Sequence, residues 1–185
     1  MSKINEKLDR LKSLLGDEEF LTGKGLSNEV NIRIFCYDPE DEMAVRHFVN
    51  TIKSDSDLAC NLICHNLYKI FLEICEEKKI LEKIPDMEEK RGSEFLKEKI
   101  LKFSTTKAFE EKMEYSPHQK GDVLLIEGVG EVYPFMRVHS LLEELQVKFD
   151  DIPIVILYPG SFDGRLLKLF NKFKANPYYR AFNII

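Results

Sequence analysis

The chain has 185 residues, 44% of them hydrophobic and 32% charged, with a formal net charge of −5. That balance excludes a disordered polymer, which has too little apolar surface to offset chain entropy, and the acidic excess disfavours non-specific nucleic-acid binding over the whole surface. No apolar run reaches the roughly 18 residues of a membrane span, and Met1-Ser2-Lys3-Ile4-Asn5-Glu6-Lys7 does not open a secretory signal, so a cytoplasmic protein with one domain over residues 1–185 is expected.

Ile4, Leu8, Leu11 and Leu15 form the stripe of an amphipathic helix, with Gly16 as its stop. After a loop with Gly23 and Gly25, the β-rich run from Val30 to Tyr37 predicts a strand; Asp38 and Pro39 close it and start a helix, as N-cap and first helical residue. Leu58 to His65 predicts a second strand, Asn66 a cap, and Leu67, Ile70, Phe71 and Ile74 the buried side of the next helix. Residues 79–118 are dense in mixed charge and broken by Pro85, Gly92, Ser93 and Pro117, which predicts a charged helical insertion of two or three pieces packed on one side.

Asp122 to Gly130 is a continuous apolar run ending in glycines, the pattern of a strand buried on both faces, and a helix is expected from Tyr133 to Val147. Ile152 to Tyr158 repeats the pattern. Pro159-Gly160 is then expected to turn the chain into a helix striped by Leu166, Leu167, Leu169, Phe170 and Phe173, before a last strand from Tyr179 to Ile185. Alternating strands and helices predict an α/β fold, a three-layer sandwich around a mainly parallel five-stranded sheet.

Cys36, Cys60, Cys64 and Cys75 lie on apolar segments with no C-x-x-C pair, and His47, His65, His118 and His139 are scattered. Buried free thiols and no metal or cofactor are the expectation.

Ligands of parallel sheets bind beyond the carboxyl ends of the strands, which here are Tyr37 to Glu42, His65-Asn66, Glu127 to Tyr133 and Tyr158 to Arg165. The order of elements resembles a degenerate P-loop-type fold, with Glu127 where an ATPase would place a water-activating carboxylate. The loop after the first strand, Tyr37-Asp38-Pro39-Glu40-Asp41-Glu42, has no glycine or lysine with which to cradle phosphate. Gly128-Val129-Gly130 is a lone G-x-G that a tight turn explains. On a helix Tyr133 and Arg137 would share a face, whereas Arg137 and His139 would not. Asp163 suits a general acid or base, or with Ser161 a turn and N-cap. Gly164 to Ile185 holds Arg165, Lys168, Lys172, Lys174 and Arg180 with no acidic residue. Three readings fit that segment: a solvated helix face, a phosphate-contacting surface, or a protein interface in which Tyr178, Tyr179 and the arginines are anchors.

Leu124-Leu125-Ile126-Glu127-Gly128-Val129-Gly130 leading to Pro134, and Leu157-Tyr158-Pro159-Gly160-Ser161-Phe162-Asp163-Gly164 leading to Asn176-Pro177-Tyr178-Tyr179-Arg180-Ala181-Phe182, resemble the BrxB family of BREX phage-defence proteins. Asp17 to Phe20, Gly23-Lys24-Gly25 and Ile34 to Pro39 match the family's opening pattern; residues 79–118 do not, and Tyr133 stands where the family often has Trp. The resemblance implies a non-enzymatic accessory or adaptor component that binds other BREX proteins, most of all the alkaline-phosphatase-like one. Partner-binding candidates are Tyr133, Arg137, Arg165, Tyr178, Tyr179 and Arg180. Two alternatives stand beside it: an enzyme or nucleotide-responsive domain with Glu127, Arg137, Asp163 and Arg165 in one cleft at the strand ends, and a DNA-binding module making weak contact through the basic C-terminal segment.

Overall fold

The computed structural model describes residues 3–23, 31–173, 176–177 and 182–184. Helix α1 (Lys3–Leu15) buries Ile4, Leu8, Leu11 and Leu15. A short α2 (Glu18–Thr22) follows, capped by the Asp17 side chain, which accepts from the Phe20 N–H at 2.7 Å, and ended by Gly23 in the left-handed region. Strand β1 (Ile32–Tyr37) leads through a single 3-10 turn, Pro39–Asp41, into α3 (Glu42–Lys53); Asp38 accepts from the Glu40 N–H at 3.1 Å. Strand β2 (Asn61–Asn66) passes directly into α4 (Leu67–Glu77), with the Asn66 side chain accepting from the Lys69 N–H.

The connection from β2 to β3 (Asp122–Glu127) also carries α5 (Ile84–Arg91), α6 (Ser93–Leu101) and α7 (Thr106–Met113). Leu96, Ile100, Phe109 and Met113 from α6 and α7 are buried in the same cluster as α4 and one face of the sheet. After β3 come α8 (Val129–Val132), α9 (Val138–Lys148) and β4 (Ile154–Phe162). The helix expected from Tyr133 is thus broken: Pro134 offers no N–H and holds Tyr133 extended (φ −63, ψ 136), so the helix restarts only at Val138.

A second correction concerns the chain after Tyr158. It does not turn at Pro159-Gly160, and no helix follows among the described residues. β4 runs on to Phe162, and β5 (Leu166–Leu169) folds back antiparallel with Gly160 opposite Leu169 and Phe162 opposite Leu167. A Cβ on Gly160 would lie 2.3 Å from the Lys168 carbonyl oxygen, so glycine is what allows the two backbones to cross so closely. Asp163 accepts from the Arg165 and Leu166 N–H groups at 2.9 and 2.8 Å, so it shapes a hairpin turn instead of capping a helix. The apolar leucines at 167 and 169 alternate with exposed Leu166 and Lys168, a period of two that the neighbouring Phe170 and Phe173 disguise as helical.

Strands β2, β3, β4, β1 and β7 (Phe182–Asn183) lie side by side in that order and all pair in parallel, while the short β6 (Asn176–Pro177) pairs antiparallel with β5. Alternate side chains face opposite layers. Phe35, Tyr37, Val123, Leu125, Val155 and Leu157 pack under α1, α2 and α3. Ile32, Ile34, Leu124, Ile126, Ile154 and Ile156 pack under α4, α6, α7, α8 and α9. This is the α/β three-layer architecture with a parallel five-stranded sheet that the alternation of elements implies.

Candidate functional site

Of the clefts that open around the carboxyl ends of the strands, two are lined by residues the sequence singles out, and another of about 210 Å³ shares Tyr37, Glu42 and Arg46 with the first of them. The first, about 200 Å³ in volume, lies between α3 and the ends of β1, β2 and β3. Glu42, Arg46 and Lys53 of α3 fall on one helical face and meet the strand ends in a chain of contacts. The Tyr37 hydroxyl donates to Glu42 Oε2 at 2.7 Å, and Arg46 Nε donates to Glu42 Oε1 at 2.7 Å. Arg46 Nη2 reaches Glu131 Oε1 of α8 at 2.9 Å, and Lys53 Nζ reaches Glu127 Oε1 at 2.7 Å. Burial and then the Glu42 carboxylate push the Tyr37 hydroxyl far above the ordinary phenol range, so it is a fixed donor.

The backbone closes the same cleft. Gly128 sits in the left-handed region at φ 79, and a Cβ there would come within 2.7 Å of Asn66 Oδ1, the atom that caps α4. Chemically, the cleft lining balances three carboxylates, Glu42, Glu127 and Glu131, against three cations, Arg46, Lys53 and Lys69. Arg46 and Lys53 are already engaged by carboxylates. The loop after β1 offers phosphate little: Pro39 has no N–H, and that of Glu40 is taken by Asp38.

The second cleft, about 120 Å³, lies under the break between α8 and α9 and against the hairpin of β4 and β5. Its floor is buried and apolar, formed by Val129, Met136, Val138, Leu167 and Leu169. Tyr133, Tyr158 and Phe173 wall it, with the Tyr133 and Phe173 rings 4.7 Å apart. Arg137 and His139 complete the lining, which corrects the expectation that they face apart: Arg137 precedes the helix in extended conformation (φ −111, ψ 120), and the helical offset does not apply. Likewise Tyr133 and Arg137 meet at this cleft across a non-helical link and not as neighbours on a helix. Burial first, and the Arg137 cation second, hold His139 below its ordinary value.

The structure therefore sends the sequence candidates to different places. Glu127 faces the first cleft and Arg137 the second, while Asp163 and Arg165 occupy the exposed hairpin turn. Tyr178, Tyr179 and Arg180, with Lys174, lie outside the described residues. Sequence reasoning missed Glu42, Arg46, Lys53 and Glu131; only the Glu42 to Arg46 spacing of four residues was a signal for them. It also missed Met136 and Phe173, which looked like ordinary core positions.

The thiols stand apart from both clefts' linings. Cys36 and Cys75 are buried, and Cys60 and Cys64 half-buried, all four free. Among the described residues no three His, Cys, Asp or Glu side chains group as a metal site, and no helix is long and apolar enough to cross a membrane.

Comparison with known proteins adds a lineage. The family model for "BREX protein BrxB" matches residues 63–184, and the match runs through the segment 79–118. A "BREX protein BrxB" of Bacillus cereus (strain H3081.97) is 38% identical over 192 residues, covering 100% of this chain and 99% of that one. Another of the same description, from Escherichia coli O9:H4 (strain HS), is 25% identical over 186 residues, covering 98% and 92%. No solved structure matches, so the likeness to a P-loop-type fold rests on element order alone.

Proposed function

The chain belongs to the BrxB family of BREX proteins, and from that premise we propose that it serves phage defence in the cytoplasm as a non-enzymatic adaptor, holding a larger BREX protein, the alkaline-phosphatase-like component. The observation that carries this reading is the second cleft. Tyr133, Arg137 and the exposed Phe173 surround an apolar floor, the combination of aromatic rings and arginine found at interface anchors. In the strand-end cleft, in contrast, Arg46 is held by Glu42 and Glu131, and Glu127 is tied to Lys53 where an enzyme would keep a free carboxylate.

The docking face comprises Tyr133, Arg137 and Arg165; Tyr178, Tyr179 and Arg180 join it on the sequence argument alone. The test is a pull-down of the tagged chain from a cell carrying the whole BREX locus, read by mass spectrometry, with Arg165→Ala and Tyr133→Ala beside the wild type. Retention of the alkaline-phosphatase-like protein by the wild type, and its loss from variants with unchanged thermal unfolding, is the expected result. Retention of no BREX protein by the wild type removes the adaptor reading.

A further inference from the structure

The second cleft has a shape and a charge that specify what fits it. An apolar cavity of about 150 Å³ takes up benzene, so the roughly 120 Å³ here suits one aliphatic side chain of leucine size. Its floor residues are all buried, whereas Arg137 at its lining is exposed. Arg137 has no carboxylate partner among the described residues, which sets it apart from Arg46, held between Glu42 and Glu131.

The surrounding segment strengthens that cation. Residues 164–173 contribute Arg165, Lys168 and Lys172, all exposed, and no acidic residue. Glu143, one turn along α9 from His139, is the carboxylate that acts on this part of the cleft. His139, held below its ordinary value by burial, is an uncharged imidazole at neutral pH, so the charge of the lining is that of Arg137.

We propose that this cleft docks a partner segment carrying a leucine-sized aliphatic side chain beside an Asp or Glu: the aliphatic group enters over Met136, Val138, Leu167 and Leu169, and the carboxylate pairs with Arg137. This rests on the adaptor reading and names the chemistry of the docked segment. The buried apolar floor favours a peptide over nucleic acid, because a phosphate gains nothing from apolar side chains beneath it. A carboxylate opposite the exposed arginine makes a charge-assisted pair, stronger than a neutral amide in the same place.

The experiment uses the full chain with labelled methyl groups and three blocked dipeptide amides as NMR probes: N-acetyl-Leu-Asp, N-acetyl-Leu-Asn and N-acetyl-Ala-Asp. The first is expected to move the methyl signals of Met136, Val138, Leu167 and Leu169, and to bind about tenfold tighter than the Ala probe and about threefold tighter than the Asn probe. In Arg137→Gln the advantage of Asp over Asn disappears while that of Leu over Ala remains. Since Arg137 is exposed, this variant keeps the fold, and its thermal unfolding checks that.

Equal binding of the Asp and Asn probes, or no shift at these methyls with any probe, overturns the proposal. So does a self-association in light scattering that Arg137→Gln abolishes, which would make a second copy the occupant, or duplex DNA moving the same signals at lower concentration than the dipeptide. The two readings fail separately. A wild-type chain that retains no BREX protein yet selects N-acetyl-Leu-Asp leaves the site standing without the adaptor role. A partner retained equally by wild type and Arg137→Gln, with no dipeptide selectivity, leaves the adaptor and overturns the docking chemistry.

Discussion

Lys53 Nζ lies 2.7 Å from Glu127 Oε1, so the carboxylate that closes β3 is met by a cation from the last residue of α3. The pair joins a helix of one layer to the end of a central strand.

For this pair a double-mutant cycle with Lys53→Met and Glu127→Gln is expected to give a coupling of about 0.5–1 kcal/mol, since both side chains keep partial contact with water. Guanidinium is ionic and would mask it, so urea unfolding is the measurement, and 1 M salt is expected to shrink the coupling. A coupling several times larger would mark the pair as buried in effect and the cleft as closed.

Nucleotide binding is expected to be about millimolar or weaker for ATP and GTP. Past β1 the chain presents Asp38, Glu40, Asp41 and Glu42, the Glu40 N–H is spent on Asp38, and Pro39 has none to give. Calorimetry decides the matter, and a micromolar affinity would place a phosphate site somewhere the first strand does not build one.

All four thiols are expected to titrate after unfolding, with no stoichiometric zinc on metal analysis. In the folded chain burial pushes Cys60 and Cys75 up to about 11 and Cys36 up to about 12. Against the ordinary value of 9.0, a value of 11 leaves roughly 100-fold less thiolate at pH 8. Cys36, Cys60 and Cys75 should therefore react with Ellman's reagent at least about 100-fold more slowly in the native protein than after unfolding, and a fast native thiol that persists in Cys64→Ser would contradict the burial seen at those three.

Acid should weaken the fold first through histidine. His65 and His139 are both lowered by burial, so near and below the ordinary value of 6.5 the unfolded chain binds protons that the folded chain refuses. Stability therefore rises with pH across the window from the depressed folded values up to 6.5, and is flat above it for these groups. Urea midpoints at pH 7.5, 6.5 and 5.5 test this, with His65→Gln expected to flatten the slope. An unchanged slope in His65→Gln would mean that the imidazole is hydrated in the native state.

How much was legible before folding depended on whether a signal was local. The strand-to-helix junctions at Asp38 and Asn66 were readable because a cap is a short-range hydrogen bond: Asp38 takes the Glu40 N–H and Asn66 the Lys69 N–H. The fully buried strands around Leu124 to Ile126 and Ile154 to Ile156 announced a parallel sheet covered on both faces, because only such strands remain apolar at every position. The hairpin of β4 and β5 was misread although Asp163-Gly164 is a turn signal, since Leu166 to Phe173 satisfies a helical stripe as well as an alternating one; the close approach of Lys168 to Gly160 selected the strand. Residues brought together across the chain could not be read at all. Nothing in the local pattern tied Lys53 to Glu127, 74 residues away, or placed Phe173 on Tyr133 beside Arg137. The sequence by itself determined the layers, through periodicity and short-range capping, and the family, through its motif segments, whereas the pairing of charges in one cleft and the place of Arg137 over the other were decided by tertiary structure, because only the assembled sheet sets which helix faces which strand end.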